Sequence, residues 1–270
     1  RVGLVSIEKL KEAMVDMDIS GRPVCIHSSM RSFRPSIDAN DLLDVFLNRG
    51  ATVLVPTFSY DFETAPPIED RPKRNGMVYP DNSTVTQRRR DFSTHSQEIS
   101  LREMGQFTRA VLLHPQSQRG RHPLNSFSSV GPLAKELIDK QSPQDVYAPL
   151  DALINLNGLV LLMGVTYTAL TLLHLAEMRA GRRPFRRWAY VEGKLTNSSV
   201  GSCSAGFRKF EPLLDPIADM RVVCDSQWRT LPALEALMTA TGAIHLDPPM
   251  THCEDANCLR CPDAIAGGPL

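Results

Sequence analysis

The chain has 270 residues, enough for one large domain or two small ones and for a substantial buried core. Its 30 basic and 30 acidic residues cancel to a formal net charge of zero, which excludes bulk attraction to nucleic acid or to an anionic membrane surface. Hydrophobic residues make up 42% and charged residues 22%, an ordinary balance for a soluble globular protein, and no apolar run approaches the roughly 20 residues of a membrane span.

The opening stretch RVGLVSIEKLKEAMVDMD reads as an amphipathic helix with Ser6 as its N-cap, and not as a signal peptide. RPVCIHSS then reads as a short buried strand that ends in small polar residues. In DANDLLDVFLNRG, Asp38 is the expected cap, Leu42, Leu43, Val45 and Phe46 give the apolar face, and Gly50 is the stop. ATVLVPTFSY follows as a second buried strand, broken at Pro56. This early β-α-β order argues for an α/β domain.

Residues 61–125 differ in texture, rich in proline, charge and turn residues and poor in periodicity. The part over 61–100 is open to two readings, a solvated loop or an active-site lid. ISLREMGQFTRAVLLHP and SVGPLAKELID restore helices. GLVLLMGV is the clearest strand in the chain, and TALTLLHLAEMRAG the clearest helix. RRPFRRWAYVEGKLT reads as strand and hairpin, and GFRKFEPLLDPIADM and WRTLPALEALMTATG read as helices. The whole is expected to form a single domain over 1–270, with a central mixed sheet flanked by helices.

No G-x-S-x-G elbow, phosphate-binding G-x-x-x-x-G-K-[ST] or post-strand G-x-G-x-x-G occurs in the chain. The arginines between Arg71 and Arg121, QRRR included, come without an aromatic ladder, so a nucleic-acid platform is not expected. The strand-to-helix junction before TLLHLAE is a usual place for an α/β active site. On a helix Thr171, His174 and Glu177 succeed one another on one face at intervals of one turn. Either a core histidine or a catalytic one fits that pattern.

Cys25, Cys203 and Cys224 are scattered, which without a secretory signal favours a reducing, cytoplasmic setting. Cys253, Cys258 and Cys261 crowd into HCEDANCLRC, in the tail over 252–262. Three thiols need one more ligand to hold tetrahedral zinc. His252 is adjacent in sequence, while His245, Cys203 and Cys224 are alternatives that the fold would have to bring. A structural zinc and three ordinary cysteines near a chain end both fit.

Five ordered blocks resemble the aminoglycoside 3-N-acetyltransferase family: HSSMRSF (27–33), VPTFSYDF (55–62), HPLNSFSSVGPLA (122–134), LLMGVTYTALTLLHLAE (161–177) and CSAGF (203–207). The resemblance implies an α/β fold distinct from the commoner acetyltransferase fold, and transfer of an acetyl group from acetyl-CoA to a small-molecule amine. It places a catalytic base at His174, with Thr171 and Glu177 at matching positions. Histidine suits that role, because an amine must lose a proton as it attacks the thioester and an imidazole titrates near the operating pH. For the acidic partner of the imidazole the resemblance points to Asp61, with Glu63 across a gap, and Glu177 is the alternative one helical turn away.

The same resemblance sets His27, Ser28, Ser29, Arg31 and Ser32 along CoA, with Arg119, His122, Ser126, Phe127 and Thr171 also against the cofactor. Thr57 or a backbone N–H would steady the thioester oxyanion. The chain departs from the family in three places. Gly120 stands where serine is usual, GVTYTAL replaces a glycine-rich run, and Ser199 and Gly201 stand where aminoglycoside-acting members often carry carboxylates. The expected assembly is a monomer or homodimer.

Overall fold

The computed structural model describes residues 2–79 and 90–270, and side chains from residue 7 onward. Arg1 and residues 80–89, with the Gln87–Arg89 part of QRRR, lie outside the described residues. In chain order the first half runs α1 (Val2–Ala13), β1 (Pro23–Ser28), α2 (Ala39–Asn48), β2 (Thr52–Pro56), β3 (Glu63–Thr64) and β4 (Asp91–Phe92). Then come α3 (Leu101–Leu113), β5 (Gln118–Arg119), β6 (Phe127–Val130), α4 (Ala134–Ile138), α5 (Ala148–Asn155) and β7 (Leu159–Met163). The last third holds α6 (Leu172–Arg179), β8 (Phe185–Val191), β9 (Lys194–Val200) and α7 (Glu211–Leu214). It closes with β10 (Asp219–Val223), β11 (Ser226–Pro232), α8 (Ala233–Leu246) and α9 (Arg260–Ile265).

Seven strands form the main sheet in the order β10-β11-β7-β1-β2-β6-β5. Its centre, β7-β1-β2, is parallel, and both flanks are antiparallel, so the sheet is mixed. The central strands are buried along their whole length except Ser28, at the carboxyl end of β1. They can be apolar on both sides of the sheet because helices cover both faces. On one face Trp228 stacks on Phe46 of α2, with ring centroids 6.2 Å apart, and packs edge-on to Phe33. The other face carries the larger core, formed with α5, α6 and α8. A second, smaller sheet pairs β8 with β9 on one side and with β3 and β4 on the other.

Local chemistry accounts for several boundaries. The Asp38 carboxylate accepts from the N–H groups of Asn40 and Asp41, capping α2 as its position suggests. Gly105 bends α3 with φ of +83°, a conformation open to glycine. Three expectations are corrected. The first helix already runs from Val2, so Ser6 lies inside it rather than capping it. GFRKFEPLLDPIADM forms two 3-10 turns and a single α-turn, then enters β10, because Pro212 and Pro216 interrupt the backbone ladder. The WRTLP end of the last predicted helix is strand β11, held antiparallel against β7, and the helix starts only at Ala233. A short apolar run beside a helix has no periodicity that tells strand from helix. No described helix is long and apolar enough to cross a membrane.

Candidate functional site

A cleft of about 1050 Å³ opens beyond the carboxyl ends of the parallel strands. This is where an open α/β sheet leaves room for a ligand, because the connections leaving the neighbouring strands β1 and β7 run to α2 and α6 on opposite faces. His27 and Ser28 line it from the end of β1, and Phe58, Tyr60 and Glu63 from beyond β2. Val165 and Thr168–Thr171 contribute from the turn after β7. Residues 201–205, after β9, form the facing wall with Arg187 and Arg260. From the segment expected as loop or lid, Glu63, Gly76 and Met77 reach the cleft.

His174 sits in the first turn of α6, at the floor of this cleft. Its Nδ1 lies 2.9 Å from Oε2 of Glu177, the hydrogen bond that an i, i+3 helical pair permits. Ser202 Oγ donates to the same carboxylate oxygen at 2.6 Å, and Arg182 Nη1 donates to Oε1 at 2.7 Å. Arg182 is itself tied to Thr251 Oγ1 and to the carbonyl of Pro248. Burial works to raise the Glu177 pKa. The bond and charge of His174, the Ser202 hydroxyl and Arg182 outweigh it, so the carboxyl falls below its ordinary value. An ionised, fixed Glu177 selects the tautomer with the proton on Nδ1 and leaves Nε2 as the basic nitrogen.

The ring is also held mechanically. It lies parallel to Tyr147 at 6.1 Å between centroids and against Phe207 at 4.7 Å. Gly201 passes so close that a Cβ there would meet Tyr147 Oη at 2.3 Å and His174 Cγ at 2.8 Å. Arg182, Ser202, Tyr147 and Phe207 were not reached from the sequence. CSAGF marks the neighbourhood of two of them, but nothing local in the sequence marks Tyr147 or picks Arg182 from the arginines after α6.

Asp61 is corrected as the partner of His174. It lies in the short turn Tyr60–Phe62 with its side chain 63% exposed, and pairs with Arg90 at 3.1 Å. Glu63 lies in the cleft, bound instead to Arg187 at 3.4 Å, and burial pushes its carboxyl up against the pull of that arginine.

The residues expected along the cofactor are only partly gathered at the cleft. Of them, His27, Ser28 and Thr171 line the cleft, and Ser29, Arg31, Ser32, Thr57, Arg119, His122, Ser126 and Phe127 do not. The 3-10 turn Met30–Ser32 rolls Arg31 out to solvent, and Ser32 Oγ bonds to the Ser29 carbonyl and to Ser226 Oγ. The Ser29 N–H is taken by the Met163 carbonyl.

Thr57, Ser126 and Ser128 share a buried hydroxyl cluster, which Arg119 closes by donating to Ser126 Oγ and to the Thr57 carbonyl. Thr57 is therefore a strut rather than an oxyanion donor, with Oγ1 bonded to the Ser126 carbonyl. Phe127 is fully buried edge-on to Phe58. Gly120 is required by packing, since a Cβ there would fall 1.8 Å from Gln141 Oε1, which accepts from the Phe127 N–H.

His122 is a buried brace. Its Nε2 donates to the Ser199 carbonyl at 2.6 Å, and its Nδ1 accepts from the N–H groups of Leu124 and Asn125. Those bonds use both nitrogens of one neutral tautomer. Burial lowers the pKa of both His122 and His27 from 6.5 to about 4. Both therefore stay neutral in the fold while the unfolded chain takes up protons below pH 6.5. Stability is expected to fall as pH drops from 6.5 toward 4 and to lose this contribution's slope below that. Urea melts across that range check it, and His122→Gln should flatten the dependence.

The cysteine cluster is assembled differently from the nearest-neighbour expectation. Cys203 joins Cys253, Cys258 and Cys261, with all four sulfurs within 4.8 Å of one another. His252 is not part of the group, because its Nδ1 is turned to the Cys253 carbonyl at 2.6 Å.

The chain belongs to the aminoglycoside 3-N-acetyltransferase family, whose sequence model matches residues 25–239. It is 39% identical to aminoglycoside N(3)-acetyltransferase VIII of Streptomyces fradiae over 34% of this chain and 33% of that protein. Against aminoglycoside N(3)-acetyltransferase IV of a Salmonella species the identity is 29%, over 59% of this chain and 53% of that protein. The matches thus span a third to about half of these relatives' length. The fold is that of aminoglycoside acetyltransferase AAC(3)-IVa, solved as a histidine-to-alanine mutant in complex with a gentamicin. The TM-score is 0.74 at 22% identity, covering 96% of each chain.

Proposed function

We propose that the protein transfers the acetyl group of acetyl-CoA to an amine, with aminoglycosides as the first acceptor class. The observation that carries this reading is His174 at the floor of the cleft, its Nδ1 bound to a Glu177 that Arg182 and Ser202 hold in place. The acceptor nitrogen attacks the thioester carbonyl carbon and passes its proton to His174 Nε2. The carbonyl re-forms as the C–S bond breaks, and the CoA thiolate leaves and takes up a proton. No acyl-enzyme is needed, because the thioester is already activated. Glu177 balances the charge of the imidazolium while it lasts. Family membership supports acetyl-CoA as donor.

The acceptor class rests on the relatives' names and on the gentamicin complex of AAC(3)-IVa. The charges around the cleft favour a second reading, an amine other than a polycationic antibiotic. Glu63 and Glu103 line it, but so do Arg187 and Arg260, and Gly201 leaves no room for a carboxylate beside His174. Glu69 and Asp70 are exposed and outside the lining. A polycation is best received by several carboxylates that offset the desolvation of its amines.

CoA release with 2-deoxystreptamine antibiotics, beside amino-phosphonates and simple aryl amines, tests both readings. Turnover of the antibiotics is expected, and turnover of the other amines alone would replace the acceptor. Absence of CoA release from folded protein with every amine would overturn acetyl transfer itself.

A further inference from the structure

We propose that Cys203, Cys253, Cys258 and Cys261 form a closed structural zinc site that staples the C-terminal segment to the wall of the cleft. The four thiols come from two distant parts of the chain, the 201–205 wall and the tail around α9, and all are free. Four thiolates about 2.3 Å from a tetrahedral zinc stand about 3.8 Å apart, so sulfurs within 4.8 Å need only a small contraction.

The backbone around the sulfurs is arranged for thiolates. The N–H groups of Arg260 and Cys261 are directed at Cys258 Sγ, the N–H of Ala205 at Cys203 Sγ, and the N–H of Cys253 lies 3.3 Å from Cys261 Sγ. In a Cys-x-x-Cys turn, N–H groups two and three residues past the first cysteine neutralise part of the charge that a metal-bound sulfur carries. Arg260, inside that turn, brings a full positive charge beside Cys203. A tetrathiolate zinc has a net charge of about −2, and these donors offset it.

The chain is also built to bring the two parts together. A Cβ on Gly206 would fall 2.2 Å from the Thr251 carbonyl oxygen, so the wall and the tail approach backbone to backbone. Lys209 Nζ bonds the His252 carbonyl at 2.8 Å. The tail's Thr251 holds Arg182, and the wall's Ser202 precedes Cys203, so both supports of Glu177 are anchored beside the cluster. With all four positions filled by protein, the metal does no chemistry and acts as a cross-link.

Elemental analysis of protein purified without a histidine tag tests the site. About one zinc per chain is expected. After removal with a chelator, added zinc alone should restore the content and raise the unfolding temperature. Cys258→Ser should lower zinc content several-fold, while Cys224→Ser, outside the cluster, should keep it.

Should the Cys258 variant not fold, cobalt in place of zinc in the unaltered chain reads the same ligands. It should give an intense thiolate-to-cobalt charge-transfer band. Folded protein that carries no zinc and takes up none, cobalt protein without that band, or a disulfide among the four cysteines in the native protein would each overturn the proposal. The metal measurements stand apart from the His174 reading. Loss of turnover on zinc removal rests on that reading, so zinc bound without acetyl transfer would separate the two.

Discussion

His174→Gln is expected to lower kcat by about 10²–10⁴-fold, with acetyl-CoA affinity little changed. Glutamine nearly matches the imidazole in size, so Tyr147 and Phe207 keep a neighbour, but it has no nitrogen able to take a proton at neutral pH. Glu177→Gln should act in the same direction through the ring. The amide puts a neutral group where a carboxylate accepts from Nδ1, Ser202 and Arg182, so the tautomer is no longer selected and the imidazolium loses its counter-charge. Steady-state rates with a responsive amine, beside calorimetry with acetyl-CoA, separate chemistry from binding. Near-normal turnover of a folded His174→Gln variant would return the histidine to the status of a packed core residue.

The Glu177 support also has a sign in pH. Its carboxyl is held below the ordinary value, so its contribution to stability is present above the unfolded carboxylate range and is lost as pH falls through the folded value. That window is more acidic than the one in which His27 and His122 become protonated on unfolding, so the two effects separate along an acid titration.

What the sequence made legible was what sits within one element. Strand β7 is an uninterrupted apolar run, β1 and β2 are short apolar runs bounded by polar residues, and the capped α2 between β1 and β2 makes their parallel pairing readable. The His174–Glu177 pair is legible for the same reason, since helical spacing alone brings the two side chains together.

What was not legible depends on approach between segments. Asp61 lies at the right place along the chain for a partner, yet a short 3-10 turn exposes it, and no local pattern announces that turn. Ser126 and Arg119 sit in a motif that resembles a cofactor segment, but their polar atoms are spent on each other, on Thr57 and, for Arg119, on the carbonyls of Ser96 and Glu98. Polar residues in a buried strand look the same in sequence whether they face a ligand or one another. The fourth thiol, Cys203, lies 50 residues before Cys253, and it is brought in by contacts between distant segments such as Gly206 on Thr251 and Lys209 on His252.

Gly201→Ala is expected to cost about 10²-fold or more in kcat although it adds one methyl group and no charge. That methyl would stand 2.3 Å from Tyr147 Oη and 2.8 Å from His174 Cγ, inside any contact that real atoms keep. Tyr147 is buried and fully packed, and His174 is tethered at Nδ1, so the yielding part is the imidazole or the 201–205 wall. If the ring rotates, Nε2 leaves the line of the attacking amine. If the wall withdraws, Ser202 leaves Glu177 and takes Cys203 with it.

Either movement separates a general base from its geometry, and displacements of about 1 Å at such a site cost about 10²-fold. Overpacking should also lower stability by about 1–3 kcal/mol. Gly242→Ala serves as the control, because a Cβ there meets nothing within 4 Å in the body of α8. It should leave turnover intact and stabilise the helix slightly. Gly201→Asp separates space from charge. If the carboxylate that aminoglycoside-acting relatives often carry nearby were all the site lacked, this variant would gain activity on polycationic acceptors. The crowding against His174 and Tyr147 predicts that it loses at least as much as Gly201→Ala. Paired kcat measurements on the three variants, with acetyl-CoA binding measured on each, decide between those outcomes. A Gly201→Ala enzyme as fast as the unaltered chain would show that the ring does not depend on this contact.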